Sequence, residues 1–404
     1  MRPNTCGSTM TGTLPNSLLR QRLSVGRELL RRHGLDALVA FSAPRGLAAA
    51  TQTSGNVGWF TGFTPMWAPS MLVLTAIDAV IVAPGKNEAR LFTTRVGDLY
   101  EINTAGPQGL VERAARIANR SNRSRVGVVG TDEMTAKLSA AFVEGFPRVV
   151  RIDSVLQSMR LERDPAETDL HRRAAEISDA MLARAFAYAA TPDATPARLM
   201  AEVEHEGRAW GADVSRLWLS TGPEPPVTFF EMFELPQTII PGDRVQLGTM
   251  VSYEGYFAQG LRIGSRGKPA VQLADAATRL IDIQDAALAT LVPGRPVHEL
   301  VDLIEARIDA MCPYPRDSDP FRFQSCHGLG LDYSEPGLAE ALSPRRDRSR
   351  DIYGPRLCAG MVFEIHPNFT LPGLGHVCAG DVALVTETGA EWLTKFPRGI
   401  FAID

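Results

Sequence analysis

Residues 360–367 read Gly360-Met361-Val362-Phe363-Glu364-Ile365-His366-Pro367. The run from Met361 to Ile365 is apolar except for Glu364, and Gly360 is a turn residue. Side chains alternate along a strand, so Val362, Glu364 and His366 share one face. A strand this apolar is buried, which sets a carboxylate and an imidazole side by side on a dry surface. Such groups are costly to bury unless they are paired. Two readings stand open at this point: a satisfied pair at a strand end, and part of an acid/base set.

The chain has 404 residues, enough for two or three domains and a large core. A net charge of -4 leaves no basic footprint, so no nucleic-acid partner is expected. The longest apolar runs, such as Ala79 to Ala83, are strand-sized, so no membrane partner is expected either. Residues 1–17 are polar and read as a disordered tail without a signal-peptide core. The five cysteines are scattered and form no CxxC pair. That usage fits reduced thiols and predicts a cytoplasmic protein.

Helices and apolar strands alternate through the first part of the chain. Residues 18–33 have helical spacing and stop at Gly34; 35–41 read as a strand, 71–84 as two strands and 89–93 as another. A helix over 109–119, a strand over 125–130 and a helix over 133–144 complete an α/β domain. Asp164-Pro165 reads as a helix start, with the helix running to about Ala190 and a second over 196–209. From Arg216 the texture changes to short strands rich in Gly, Pro and aromatics, interrupted by helices at about 270–291 and 297–312. This second part is an α+β domain with a curved antiparallel sheet. Residues 341–351 carry four arginines and read as a solvated loop.

Six stretches, in order, resemble the creatinase, aminopeptidase P and prolidase superfamily. Asn56 to Phe63 (NVGWFTGF) is similar to its N-Y-L-T-G-F segment, and Arg160 to Ala174 to its linker and first catalytic-domain helix. Gly242 to Tyr256, His327 to Pro336, Gly360 to Pro367 and Gly380 to Thr394 resemble four further motifs of its catalytic domain. The resemblance implies a creatinase-type α/β N-terminal domain over 18–160 and an α+β pita-bread catalytic domain over 161–404. It also implies a homodimer.

The peptidases of that superfamily hold two metal ions with Asp, Asp, His, Glu and Glu. Carried over, these positions fall on Gly248, Gln259, His327, His366 and Gly380. Only the histidine is kept, and hard divalent ions need several carboxylates. Creatinase works without metal, using a His base and carboxylates on a small guanidino compound. Its base falls near Pro225-Pro226 here, and its substrate-gripping glutamates on Leu261 and His366. The resemblance therefore implies a creatinase-like scaffold with a different substrate, and no metal or cofactor.

The residues left at the expected pocket are His366, His327 and Glu364 as a catalytic set, with Glu364 orienting His366. Gln259, Tyr256 and Arg262 are expected to contact substrate, Tyr256 sharing a strand face with Glu254. Trp59 and Trp67 of the N-terminal domain are expected to close over the substrate. Asp381 reads as a support for the site. Cys326 points away if His327 points in, and Cys378 reads as a core thiol. The function expected is metal-independent hydrolysis of a C–N bond in a small amide or amidine metabolite. Three alternatives stay open: a catalytically silent binding protein whose pocket is filled by side chains such as Met250, Phe257 or Leu261; a single-metal hydrolase using His327 and His366; and a lyase using the same acid/base set.

Overall fold

The computed structural model describes residues 13–44, 54–65, 67–106, 109–119, 121, 123–223, 238–312 and 314–404. They form two compact units. The first takes residues up to Ala43 and from Asn56 to Arg151; the second takes Pro44, Ser54, Gly55 and Ile152 to Asp404.

In chain order the first unit has α1 (Asn16–His33), β1 (Ala37–Ser42), α2 (Asn56–Thr61), β2 (Ser70–Thr75), β3 (Ala79–Ala83), α3 (Lys86–Val96), β4 (Glu101–Thr104), α4 (Leu110–Ala118), β5 (Val126–Val129), α5 (Ala136–Gly145) and β6 (Val149–Arg151). The six strands make one mixed sheet in the order β4-β3-β2-β1-β5-β6. Val39, Phe41, Val73 and Val82 form a core with Leu110 and Ala114 of α4 and Phe142 of α5. Helix α1 opens at Asn16, inside the stretch read as a tail; the rest of that reading, residues 1–12, lies outside the described residues. It closes at Gly34, whose φ of 59° suits the left-handed cap that glycine adopts without strain.

One element of the sequence reading is corrected here. The strand expected at 89–93 is helix α3. Ala89, Phe92 and Val96 are buried at the three-to-four-residue spacing of a helix, while Leu91, which strand alternation would bury beside Ala89, is exposed.

The second unit continues with α6 (Asp153–Met159), α7 (Pro165–Ala189), α8 (Pro196–Ala209), β7 (Val214–Gly222), β8 (Arg244–Tyr253), β9 (Tyr256–Arg266), α9 (Val271–Leu288), α10 (His298–Met311), β10 (Cys326–Leu329), α11 (Pro336–Ala339), β11 (Val362–Ile365), β12 (Asn368–Leu371), β13 (Gly375–Cys378), β14 (Asp381–Val385), β15 (Ala390–Trp392) and β16 (Ile400–Ile403). Asp164 caps α7 by accepting from the Ala166 N–H, and Glu167 accepts in return from the Asp164 N–H, both at 2.9 Å. This capping box, with Pro165 at the first position, fixes where the longest helix begins.

Two four-stranded sheets, β16-β9-β8-β7 and β10-β11-β14-β15, make the body of this unit, with β12-β13 as a separate ribbon. Every pairing is antiparallel except β16 with β9. Helices α7 and α8 supply Met181, Leu182 and Leu199 to a core with Val245, Leu247 and Val251 of β8. Helices α9 and α10 supply Leu280 and Ile304 to a second core with Phe363 and Ile365 of β11. The sheets are joined where Leu261 and Gly380 exchange two backbone hydrogen bonds, at 3.0 and 3.2 Å. The 341–351 stretch is not wholly solvated: the Arg346 side chain is buried, bridging Asp302 and Asp351 at 2.7 Å each.

Candidate active site

Strand register decides the site. In β10 and β11, His327 lies directly opposite Glu364, and in β11 and β14, Glu364 lies opposite Val382. His327 Nε2 is 2.9 Å from Glu364 Oε2, and His366 Nε2 is 4.0 Å from the same oxygen. The two imidazole rings are 5.2 Å apart. All three side chains are buried. The expected partner of Glu364 is therefore corrected: it meets His327 across the strands, while His366, just past the end of β11, stands farther off.

The proton inventory of this cluster follows from its neighbours. His327 Nδ1 lies 3.1 Å from the Gly328 carbonyl, which can only accept, so Nδ1 carries a hydrogen. Nε2 of the neutral ring then holds a lone pair toward Glu364. A 2.9 Å approach needs one proton between them, on the ring or on the carboxyl. Burial pushes the Glu364 carboxyl up to about 7, with the His327 contact opposing it. Burial, reinforced by the charge of His327, pushes His366 well below the usual imidazole range, so it is a neutral base at pH 7.

A stability prediction follows from Glu364. In the unfolded chain a carboxyl ionises near 4.5, and in the fold near 7. Between these values the unfolded state holds fewer protons, so the contribution of Glu364 is fully present below about 4.5 and is lost as pH rises through 7. Glu364→Gln cannot ionise. Relative to the parent it gains stability between pH 4.5 and 7, on the order of 3 kcal/mol at most. Denaturant melts of both proteins across that range check this; a constant difference refutes it.

His366 lies on the wall of a cavity of about 380 Å³, with Trp218, Gln259, Leu261, Phe321, Phe323, Gln324 and Tyr333. Gln259 Oε1 accepts a short hydrogen bond from the Tyr333 hydroxyl. Burial, reinforced by the Glu364 charge, holds the Tyr333 phenol well above 10, so it stays a donor. His327 sits behind this wall, its ring 4.8 Å from that of Tyr333. The cavity is not filled in the way a silent pocket was expected to be: Leu261 lines it, while Met250 and Phe257 are buried in the neighbouring core cluster with Tyr333 and do not line it.

Two expected substrate contacts are corrected. Tyr256 does not line the cavity; its hydroxyl binds Glu167 Oε1 at 2.8 Å and its ring packs on His171. Arg262 does not line it either. Its guanidinium binds Asp381 Oδ1 and the Phe396 and Gly380 carbonyls at 2.7–2.8 Å, and Nε binds the Pro397 carbonyl. Asp381 also accepts from Thr394 and Gln284, and Gln284 donates to the Ile365 carbonyl, so this knot braces the strand end that carries His366. Glu254 is not on a strand with Tyr256. It occupies the β8–β9 hairpin turn at φ 48°, followed by Gly255 at φ 94°.

In the first unit Trp59 is buried, its ring under the Arg22 guanidinium at 4.9 Å, and Trp67 is two-thirds exposed. Cys326 is buried in the β11 core and Cys378 is buried; burial pushes both thiols up. The Pro225-Pro226 region lies outside the described residues. Sequence reasoning missed Trp218, Phe321, Phe323 and Tyr333. Phe321 and Phe323 carried a signal, since their spacing of two sets them on one side of an extended segment leading into His327.

Residues 169–387 match the model of metallopeptidase family M24, and residues 22–161 match the creatinase/prolidase N-terminal domain. The chain belongs to family M24, a family of hydrolases, and combines a creatinase-type N-terminal domain with a pita-bread catalytic domain. It is similar to the Xaa-Pro dipeptidase of Pyrococcus furiosus, 25% identical over 369 residues that cover 85% of this chain and 92% of that one. It is equally similar to an uncharacterized peptidase of Bacillus subtilis, YqhT, 25% identical over 354 residues covering 86% and 93%. Among solved structures, an Xaa-Pro dipeptidase from Bacillus anthracis shares the fold with a TM-score of 0.74, 20% identity and coverage of 95% and 99%. No described helix is long and apolar enough to cross a membrane.

The family implies metal ions, and the site's own residues test the fit. A dinuclear centre does not fit. Gly248, Gln259 and Gly380 offer no negative charge, and at Gly380 the room for a carboxylate side chain is taken. A Cβ on Gly380 would lie 2.1 Å from Leu261 Cδ1, and one on Gly248 would lie 3.3 Å from Trp218 and 3.4 Å from Leu261. Leu261 thus stands where a side chain at position 380 would project, and it packs in ordinary contact with position 248. Gly380→Glu is expected to destabilise the protein by about 2 kcal/mol or more through overpacking. Adding Leu261→Ala should recover part of that loss in a thermal melt; no recovery would mean that Leu261 is not the obstruction. The donor atoms of His327, Glu364 and His366, which lie within 4.8 Å of one another, are a set for one ion at most.

Proposed function

We propose that this chain is a metal-independent hydrolase that cleaves a C–N bond of a small amide or amidine metabolite, with His366, Glu364 and His327 as its acid/base group. The observation that carries the reading is their convergence on one carboxylate oxygen at the wall of an open cavity, where the carboxylate cage is replaced by Gly248, Gln259, Gly380 and Leu261. Neutral His366 takes a proton from water as the water oxygen bonds to the amide carbon. The resulting imidazolium is stabilised by Glu364 at 4.0 Å. Gln259 donates to the developing oxyanion. His366 then returns the proton to the leaving nitrogen as the C–N bond breaks, giving an acid and an amine. The His327–Glu364 pair, with its single proton, sets the charge that His366 faces. The reading includes Trp59 and Trp67 as closing groups and a homodimer as the working assembly.

The convergence of three donors favours one second reading, a single bound ion on His327, Glu364 and His366. Elemental analysis of the purified, dialysed protein separates the two. Less than about 0.1 metal per chain, with amide hydrolysis unaffected by a chelator, supports the metal-independent reading; about one per chain, lost in His327→Ala, replaces it.

A further inference from the structure

The cavity wall is chemically lopsided. Trp218, Leu261, Phe321 and Phe323 give it an apolar lining, and its polar members are Gln259, Gln324, Tyr333 and His366. Among the described residues no Asp, Glu, Lys or Arg lines it. A charged ligand entering would give up hydration with no counter-charge to replace it, whereas a neutral amide would give up far less. The volume, about 380 Å³, is at the small end for a ligand site.

Gln259 is already oriented. Its Oε1 is occupied by the Tyr333 hydroxyl, and Tyr333 packs edge-on against Trp218 with ring centres 5.9 Å apart. The Nε2 hydrogens of Gln259 have no partner among the described residues. This leaves the cavity with an amide donor held in place on one side. On the other, the Phe323 ring lies 5.3 Å from His366, so an apolar group seated there lies next to the proposed base. Strand alternation puts Phe257, Gln259 and Leu261 on one face of β9, so the donor and the Leu261 wall face the same space.

We infer that the site takes an uncharged carboxamide bearing an aromatic or compact apolar group, its carbonyl received by Gln259 Nε2 and its apolar part by Trp218, Phe321 and Phe323. Charged dipeptides and guanidinium compounds are selected against. The inference deepens the hydrolase reading and rests on the same cavity, but it is tested by binding without turnover.

The full-length protein is titrated calorimetrically with three isosteres: benzamide (neutral), benzoate (anionic) and benzamidine (cationic). Benzamide is expected to bind saturably below about 20 mM, the range for so small a ligand, and each charged isostere about 10-fold or more weaker. Gln259→Leu should weaken benzamide about 10-fold, and Trp218→Ala should weaken it as well. Gln259→Glu, nearly isosteric, should reverse the order and favour benzamidine. Melting temperatures of the variants confirm folding. Absent benzamide saturation, a charged isostere binding as tightly, or indifference to Gln259→Leu each overturns the inference. Benzamide-selective binding without any amide turnover would instead leave it standing and remove the hydrolase reading.

Discussion

Replacing His366 with alanine is expected to lower kcat for a neutral anilide by about 100-fold or more, the usual worth of a positioned proton-transfer group. The melting temperature, measured alongside, separates this loss from unfolding: His366 is buried against Phe323 and His327, so some stability is lost, but the folded fraction at the assay temperature should stay high. Release of the free amine reports the rate. Glu364→Gln should act differently. It leaves the cavity wall intact but removes the charge that stabilises imidazolium, so kcat falls while KM holds, and the acid limb of the pH profile moves. If His366→Ala keeps full activity, the base has been misassigned, and His327 becomes the residue to test.

Replacing Arg262 with alanine is expected to cost about 3–5 kcal/mol, the usual loss when one partner of a buried ion pair is removed. Arg262 and Asp381 are each no more than about 2% exposed at the side chain, and their closest approach is 2.7 Å. Alanine would leave Asp381 buried with Thr394 and Gln284 as its remaining partners. For a unit of this size the melting transition should fall by about 10 °C. Arg262→Leu combined with Asp381→Leu should cost less than either change alone, because no unpaired charge remains. An Arg262→Ala protein that melts normally but has a raised KM would make Arg262 a substrate contact after all.

Much of the fold was legible because its cues are local. Asp164-Pro165-Ala166-Glu167 carries its own capping box, and Gly34 its own helix stop, so both ends appear where the residues place them. Helix α3 was misread because Ala89 to Thr93 is too short a window to tell a buried helical stripe from a strand; Val96, three residues further on, completes the helical pattern. Tyr256 and Arg262 were misplaced for a reason the sequence itself held. Both lie an odd number of residues from Gln259 in strand β9, which sets them on the opposite face.

The sequence by itself determined the order of the motifs, the two-domain plan and the loss of the carboxylate ligands, since each depends only on which residue follows which. It also set Glu364 and His366 on one dry face. Only the tertiary structure decided that Glu364 pairs with His327, that Leu261 fills the space beside Gly380, and that Trp218, Phe321 and Tyr333 meet around Gln259. Those are contacts between strands and loops many residues apart. They depend on register and on how two sheets close at Leu261 and Gly380, and a one-residue slip in either would exchange the face that lines the cavity for the face packed in the core.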